Sequence, residues 1–162
     1  MSKGAKRVLL YVPGGGFQLE SQLLLKQLRD LDIALVLPDD SVQAPWMAAY
    51  RIYRVAPLIT RAERRFYQVS RRVASNFSSS WRALRDFRPE HLICVGSSIC
   101  VPGMLLAAMT GVDRIYIESI TRTDTISGTG RLIERVRLAS RFYVQWPGQA
   151  HGERRVYHGT VL

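Results

Sequence analysis

The chain has 162 residues and a mass of 18.4 kDa, with 47% apolar residues, 22% charged residues and a formal net charge of +10. These values fit one globular domain and exclude a second domain of ordinary size, a wholly disordered chain and a coiled coil. The chain contains no apolar run long enough to cross a bilayer as a helix, and its first apolar stretch is too short for a signal peptide. We therefore expect a protein on the cytosolic side of the membrane.

The N-terminal segment predicts a strand, a glycine turn, a helix and a second strand. Residues 7–12 are rich in strand formers and are followed by a proline and three glycines. Leucines recur at helical spacing over residues 17–31, and residues 33–37 form a second short apolar run. This order is a βαβ unit, which implies a parallel sheet with helices on its faces.

The glycine turn, Gly14–Gly16, is the first candidate binding element. Glycines let a backbone approach a phosphate closely, and the N-terminus of the following helix supplies unpaired N–H groups. The dinucleotide fingerprint is incomplete because Leu19 stands at its third glycine position, and no P-loop lysine motif is present. The turn therefore predicts either a phosphate site or a tight structural turn.

The segment 41–88 is interpreted as a basic helical insertion. Between positions 51 and 88 it carries ten arginines against one glutamate and one aspartate, a net charge of +8. Trp46, Tyr50 and Tyr53 have the spacing of one helix face, which Pro57 would end, and the serine run 78–80 predicts a break between helices.

Helices that combine aromatic residues with a basic face bind readily at a membrane interface, where each basic residue contributes about 1 kcal/mol to the binding free energy. We therefore expect an anionic membrane surface as a partner. The alternative is a solvated arginine face whose aromatics pack in the core. A nucleic-acid-binding module is also compatible with the charge, although no nucleic-acid motif is present and we expect no nucleic-acid partner. The predicted membrane-binding residues are Trp46, Tyr50, Tyr53, Arg54, Arg61, Arg64, Arg65, Arg71 and Arg72.

The second half repeats the alternation of strands and helices. The sequence therefore predicts an α/β fold: one Rossmann-like domain over residues 1–162, with a mostly parallel sheet of about six strands and helices on both faces. The predicted strands are 91–95, 114–118, 142–145 and a short one at 155–157, and the predicted helices are 101–109 and 130–140.

Small and hydroxylated residues follow two of these strands. Ser97 and Ser98 come after the strand 91–95, at the edge where ligands bind in open α/β sheets, and their hydroxyls would contact a diphosphate or sugar or else cap the next helix. Glu118 ends the next strand and Arg122 follows it, so we expect a carboxylate that takes a proton or holds a sugar hydroxyl, and a cation that pairs with it or with phosphate. The alternative is an internal Glu–Arg pair that orders the loop. The remaining candidates in this loop are Thr121, Ser127, Gly128 and Thr129.

Cysteine and histidine give no sign of a metal site. Cys94 and Cys100 lie in apolar surroundings outside any paired motif, and the three histidines lack ligand spacing. We expect two reduced core thiols and no structural metal.

Four segments together resemble a known family: the glycine turn, GSSICVP, ESITRTDTISGTGRLI and FYVQWP. They are similar to the membrane-associated, acceptor-side subunit of split glycosyltransferases. That family includes a subunit of the two-chain UDP-N-acetylglucosamine transferase of N-glycan precursor synthesis, with bacterial relatives in capsule and exopolysaccharide assembly. The resemblance covers nearly the whole chain and implies the N-terminal half of a GT-B glycosyltransferase.

The resemblance also implies a mechanism and partners. It implies inverting transfer onto a polyprenyl-diphosphate-linked sugar, with the glycine turn facing the diphosphate and Glu118 near the reacting hydroxyl. We expect Glu118 and Arg122 to be the catalytic residues. The UDP-sugar donor would be held mainly by a separate catalytic subunit, so we expect no tightly bound cofactor and no activity of the chain alone. The sequence departs from the family pattern in two ways. It has Phe17 where relatives often carry a histidine, and it lacks the N-terminal membrane helix of eukaryotic members. The partner subunit is expected to dock at Tyr157, His158, Val161 and Leu162, unless this tail packs on its own domain.

Overall fold

A parallel sheet of seven strands forms the centre of the protein in a computed structural model that describes residues 5–58 and 66–161. Four helices cover the two faces of the sheet, and three short 3-10 turns at residues 45–49, 98–100 and 147–149 connect the elements. The elements are β1 (Lys6–Tyr11), α1 (Gly16–Gln27), β2 (Leu31–Pro38), β3 (Arg51–Val55), α2 (Phe66–Phe87), β4 (His91–Val95), α3 (Val101–Met109), β5 (Asp113–Ile117), α4 (Gly128–Arg135), β6 (Arg141–Val144) and β7 (Val156–Tyr157).

The strand order is β3-β2-β1-β4-β5-β6-β7, and every neighbouring pair is parallel. The chain therefore winds outward in one direction from β1 to β3 and then in the other direction from β4 to β7. Tyr11 at the end of β1 is in register with Val36 of β2 and Cys94 of β4. In sheets of this topology, ligands bind beyond the carboxyl ends of the strands near the reversal point between β1 and β4.

Alternate residues of the strands fill two separate cores. Val8 and Leu10 of β1 pack with Leu25 of α1 on one face, while Leu9 and Tyr11 pack on the other face with residues of α2, α3 and α4. The exposed fraction of each of these four strand residues is 2% or less. A strand buried on both faces reads as a continuous apolar run, which explains why β1 was recognisable in the sequence.

The α/β Rossmann-like prediction is confirmed, but the count of about six strands was one short. The missed strand is β3, which lies inside the segment predicted to be a helical insertion. Its sequence, RIYRV, is rich in β-branched and aromatic residues, which favour a strand, but Tyr53 also has helical spacing from Trp46 and Tyr50. α2 is then the ordinary crossover helix between β3 and β4 and not part of an insertion.

The predicted aromatic helix face is consequently wrong. Trp46 lies in a 3-10 turn and Tyr50 just after it, and both pack on the α1 side of the sheet. Tyr53 belongs to β3 and packs on the opposite side. Arg61, Arg64 and Arg65 lie outside the described residues.

The predicted break at residues 78–80 is also wrong, because α2 runs through it without interruption. Ser80 is buried; its hydroxyl donates to Asn76 Oδ1 at 3.0 Å and accepts from the Tyr11 hydroxyl at 2.9 Å. Asn76 in turn donates to the carbonyl of Ala56 at 2.7 Å. The serine therefore ties α2 to β1 instead of ending the helix.

The fourth helix is displaced towards the N-terminus from its predicted position at 130–140. It begins at Gly128, because the Ser127 side chain accepts a hydrogen bond from the Gly130 N–H, and it ends at Arg135. Arg137, two residues beyond, has a left-handed φ of 51° that is incompatible with continuing the helix. Within residues 5–58 and 66–161, none of the helices combines the length and apolar character needed to cross a bilayer.

The buried hydrogen bonds around Ser80 give a testable prediction. Ser80→Ala leaves the buried Tyr11 hydroxyl without its acceptor, so we expect a loss of about 1–3 kcal/mol in the free energy of unfolding, measured with urea. Ser78→Ala, an exposed change two positions away in the same helix, is the control and should leave stability unchanged or slightly raised. Equal midpoints for the two variants would contradict the assigned network.

Candidate functional site

An open cleft of about 570 Å³ lies beyond the carboxyl ends of β4 and β5. Its lining includes both predicted catalytic residues and every predicted acceptor-binding residue that follows the glycine turn. Segments far apart in the sequence therefore meet at one edge of the sheet, as the parallel topology requires. The cleft is lined by Phe17, Gly96, Ser97, Ser98, Glu118, Ser119, Thr121, Arg122, Ser127, Gly128, Thr129 and Leu132.

The glycine turn itself is not part of this lining, but it places Phe17 there. Gly15 has a left-handed φ of 69° and starts α1, so the first helical turn points Phe17 at the cleft. The Phe17 ring fills the space beside Gly96: its Cδ1 would lie 3.0 Å from any Cβ at that position, and its Cε1 would lie closer still. Gly96 also has a φ of 57°, so both the backbone and the ring require glycine there.

Ser97 holds a strained backbone at the cleft. Its φ is 88°, a value that side-chain-bearing residues rarely adopt and that costs about 1–3 kcal/mol. The turn is secured from within the core, where the Cys100 thiol donates to the Ser97 carbonyl at 3.2 Å. Strain of this kind persists mainly at binding and catalytic sites, which supports a functional role for the turn.

Glu118 is buried, with only 1% of its surface exposed. Its Oε1 accepts from the Ser119 N–H at 3.1 Å, and its Oε2 accepts from both the N–H and the hydroxyl of Ser127 at 3.0 Å. Gly130 leaves room for this carboxylate, since a Cβ there would collide with Oε2. The carboxylate therefore closes the two ends of the loop 119–127 onto each other.

The internal Glu–Arg pair that the spacing suggested is not formed. The Arg122 side chain is exposed at the cleft and makes no ion pair with Glu118 or with any other residue of the described ranges. On the side facing Glu118, the loop is held by hydrogen bonds to the Glu118 carboxylate and not by an ion pair. Arg122 is thus available for an anionic ligand.

Two residues that the sequence analysis did not select hold the same loop from the other side. Glu20 of α1 is 3% exposed and accepts from the Ser119 hydroxyl at 2.7 Å and the Ile120 N–H at 3.0 Å. Gln145, directly after β6, donates to Glu20 at 2.8 Å and to the Glu118 carbonyl at 2.9 Å. The sequence pattern of α1 was used only for its leucines, although the place of Glu20 one turn after the glycines was a usable signal.

The segment after β6 completes the support of the loop. Trp146 Nε1 donates to the Ile120 carbonyl at 2.7 Å, and Gln149 Nε2 donates to the Arg122 carbonyl at 2.6 Å. These bonds fix the backbone of residues 120–122, so the side chains of Thr121 and Arg122 are left at the cleft. They also give a physical reason why the ESITR and QWP segments occur together.

The described residues predicted to bind a membrane are placed differently from the expectation. The Tyr53 hydroxyl donates to Asp86 at 2.9 Å, and burial together with this hydrogen bond raises the pKa of Tyr53 to about 12. Arg54 is half-buried and donates to the carbonyls of Pro38 and Ser41, so it supports the loop after β2. Trp46 and Tyr50 are half-buried with their rings edge to face, whereas Arg71 is exposed and Arg72 half-buried.

The C-terminal tail lies along its own domain. Val161 is buried, and its N–H donates to Gln145 Oε1 at 3.0 Å. Tyr157 and His158 are exposed, with the His158 ring 5.6 Å from that of Tyr143, while Leu162 lies outside the described residues. Val161 thus packs on its own domain, as in the alternative of a self-packed tail, whereas the other described residues predicted to dock the partner, Tyr157 and His158, are exposed.

Cys94 and Cys100 are buried and unpaired, as expected, and burial raises the pKa of the Cys94 thiol well above its usual range. Among the described residues, no group of three possible ligands lies close enough together to hold a metal ion.

Solved structures show which class of fold this is. MurG of Acinetobacter baumannii superposes with a TM-score of 0.73 at 16% identity, covering 97% of this chain and 46% of that one. The calicheamicin glycosyltransferase CalG4 gives a TM-score of 0.61 at 14% identity, covering 96% of this chain and 53% of that one. The chain therefore has the fold of one Rossmann-like half of a GT-B glycosyltransferase.

The family follows from sequence comparison. A family model described as "Oligosaccharide biosynthesis protein Alg14 like" matches residues 50–161, and the chain belongs to this family. Relatives named UDP-N-acetylglucosamine transferase subunit ALG14 are 30% identical over 90 residues in Homo sapiens and 27% identical over 151 residues in Rattus norvegicus. The matches cover 51% and 87% of this chain but 41% and 66% of the relatives, so the chain spans only part of their length. The resemblance drawn from the motifs is thereby confirmed.

The burial of Glu118 gives a second testable prediction. In Glu118→Gln one oxygen becomes an NH₂ group that faces a donor, so we expect the free energy of unfolding to fall by about 1–3 kcal/mol in urea titrations. Glu90→Gln is the control, because Glu90 is exposed and accepts one long hydrogen bond of 3.4 Å from the Arg7 N–H. Stability losses of equal size would show that Glu118 does not hold the loop.

Proposed function

We propose that the chain is the acceptor-binding subunit of a two-subunit inverting glycosyltransferase in lipid-linked oligosaccharide or polysaccharide synthesis. The observation that carries this proposal is the cleft, which gathers the family's sequence motifs at the ligand-binding edge of half a GT-B fold. The acceptor would be a sugar on a polyprenyl diphosphate, presented at the cytoplasmic face of a membrane.

The composition of the cleft suits such an acceptor. Arg122 offers an unpaired guanidinium, and Ser97, Ser98, Thr121 and Thr129 line the same space with hydroxyl groups. Charge-assisted hydrogen bonds from arginine to phosphate are among the stronger polar contacts in proteins. In this proposal Arg122 binds the diphosphate and the hydroxyls contact the diphosphate or the sugar, while the glycine turn contributes by placing α1 and Phe17.

The cleft also lacks a free proton acceptor among its described lining. Glu118 already accepts three hydrogen bonds and is almost wholly buried, and Phe17 brings no imidazole. We therefore assign Glu118 as a positioning residue for the loop and expect the complete site to take a proton-accepting group from the second subunit. That subunit would also hold the UDP-sugar, since a GT-B enzyme needs a second Rossmann-like half for its donor, and we expect no cofactor to bind tightly to this chain.

Binding measurements on the isolated chain test this division of labour. By isothermal titration we expect binding of farnesyl-diphosphate-linked N-acetylglucosamine and little or none of UDP-N-acetylglucosamine or NAD. Arg122→Ala should weaken acceptor binding by at least about tenfold, because a charge-assisted hydrogen bond contributes about 1.5–3 kcal/mol. Arg131→Ala, an exposed arginine of α4 outside the cleft lining, is the matched control.

The opposite order of affinities would reject the acceptor assignment. Tight binding of the UDP-sugar or NAD would point instead to a stand-alone nucleotide-binding enzyme. Transfer from UDP-N-acetylglucosamine to the acceptor analogue by the purified chain without a partner would reject the two-subunit arrangement.

A further inference from the structure

The second half of α2 and the end of α3 expose large apolar side chains on the outer surface of the protein. Met109 is 83% exposed, Trp81 46% and Leu105 40%. Leu105 and Met109 are four residues apart on α3 and therefore share one face of that helix. Trp81 lies on α2, which packs against α3, and neighbouring exposed apolar side chains mark interaction sites more often than isolated ones do.

Arginines without an ion pair lie beside the tryptophan of this group. Trp81 and Arg85 are four residues apart on α2 and share one helix face, Arg82 lies next to them, and Arg88 directly follows the helix. Arg82, Arg85 and Arg88 are exposed, and none forms an ion pair with a described residue. The acidic residue of the same turn, Asp86, is already held by Arg51 and by the Tyr53 hydroxyl, so the surface keeps its positive charge.

Trp81 lines two neighbouring grooves. One, of about 650 Å³, is also lined by Ser78, Arg82, Arg85, Asp86 and Arg88. The other, of about 300 Å³, is lined by Leu84, Arg85, Arg88, Pro89, Thr110 and Val112. Because Thr110 directly follows Met109, the second groove connects the tryptophan to the end of α3.

We propose that this surface, formed by Trp81, Arg82, Arg85, Arg88, Leu105 and Met109, is the face that contacts an anionic lipid bilayer. The proposal rests on the membrane-bound acceptor of the proposed function, and it moves the contact away from the half-buried Trp46, Tyr50, Tyr53 and Arg54. A basic surface with tryptophan, leucine and methionine at its centre suits a membrane interface, where apolar side chains enter the headgroup region and arginines meet lipid phosphates.

The position of α3 relates this face to the cleft. Ser98 lines the cleft just before α3, and Met109 ends the helix. Since α3 has nine residues, its two ends are about 13 Å apart. A lipid-linked diphosphate that leaves the bilayer beside α3 would reach the cleft within roughly one helix length.

Vesicle flotation with the full chain tests the proposal. Wild-type protein should float with vesicles of equimolar phosphatidylcholine and phosphatidylglycerol and much less with phosphatidylcholine alone. Each basic residue near an anionic surface strengthens binding about fivefold, so the double variant Arg82→Glu with Arg85→Glu should bind at least about twentyfold more weakly. The control is Lys26→Glu with Arg29→Glu, an equal change of charge at exposed positions of α1 and the turn after it, on the opposite side of the sheet.

A second variant tests the apolar part of the surface. Met109→Ser keeps the net charge and removes an exposed side chain, so we expect an unchanged unfolding midpoint but several-fold weaker flotation. The loss should persist at high salt, where the attraction between arginines and headgroups is screened.

Three results would overturn the assignment of this face. Equal weakening by the two double variants would mean that net charge alone binds the vesicles. Binding of duplex or single-stranded oligonucleotides, lost on Arg82→Glu with Arg85→Glu and without any binding to vesicles, would assign the surface to nucleic acid. Self-association that these substitutions abolish, again without vesicle binding, would assign it to a second copy of the chain. None of these results would alter titration of the soluble acceptor analogue, so failure of this proposal is distinguishable from failure of the proposed function.

Discussion

The shape of the cleft depends on two buried carboxylates whose hydrogen bonds come from neutral donors. Glu20 and Glu118 each accept three hydrogen bonds, from backbone N–H groups, serine hydroxyls and the Gln145 amide. A buried carboxylate without partners is very unfavourable, so conformations of the loop that withdraw these donors are penalised. The cleft is therefore formed before any ligand arrives, and Arg122 is presented by a backbone that is fixed on both sides.

Exposed arginines lie in two regions of the protein that differ in chemistry. In the cleft, one exposed arginine stands among hydroxyl groups, which suits recognition of a single small anionic group. On α2, several arginines surround a tryptophan and border the apolar end of α3, which suits an extended surface. In the two proposals, the arginine of the cleft binds the acceptor diphosphate and the arginines near Trp81 contact the lipid layer, and α3 lies between the two regions.

The sequence alone predicted the elements whose residue pattern fits a single type of secondary structure. β1, β4 and the glycine turn were predicted because continuous apolar runs end at glycines, and the cleft residues followed because parallel strands share one carboxyl edge. β3 was missed because the composition of RIYRV favours a strand while Trp46, Tyr50 and Tyr53 have the spacing of one helix face, and only pairing with β2 decides between them. The support of the loop after Glu118 was unpredictable for a related reason: Glu20 reaches Ser119 across 99 positions of sequence, and Gln145 reaches the Glu118 carbonyl across 27, through tertiary contacts.

The contact of Phe17 with Gly96 links two positions that lie on different βα turns. The ring occupies the volume that a methyl group at position 96 would need, so the size of one residue limits the size of the other. Members of the family with a smaller residue at position 17 are free of this steric limit, although the left-handed backbone at position 96 still favours glycine. Positions 17 and 96 are therefore expected to covary, and the size of the side chain at position 17 affects the volume of the cleft.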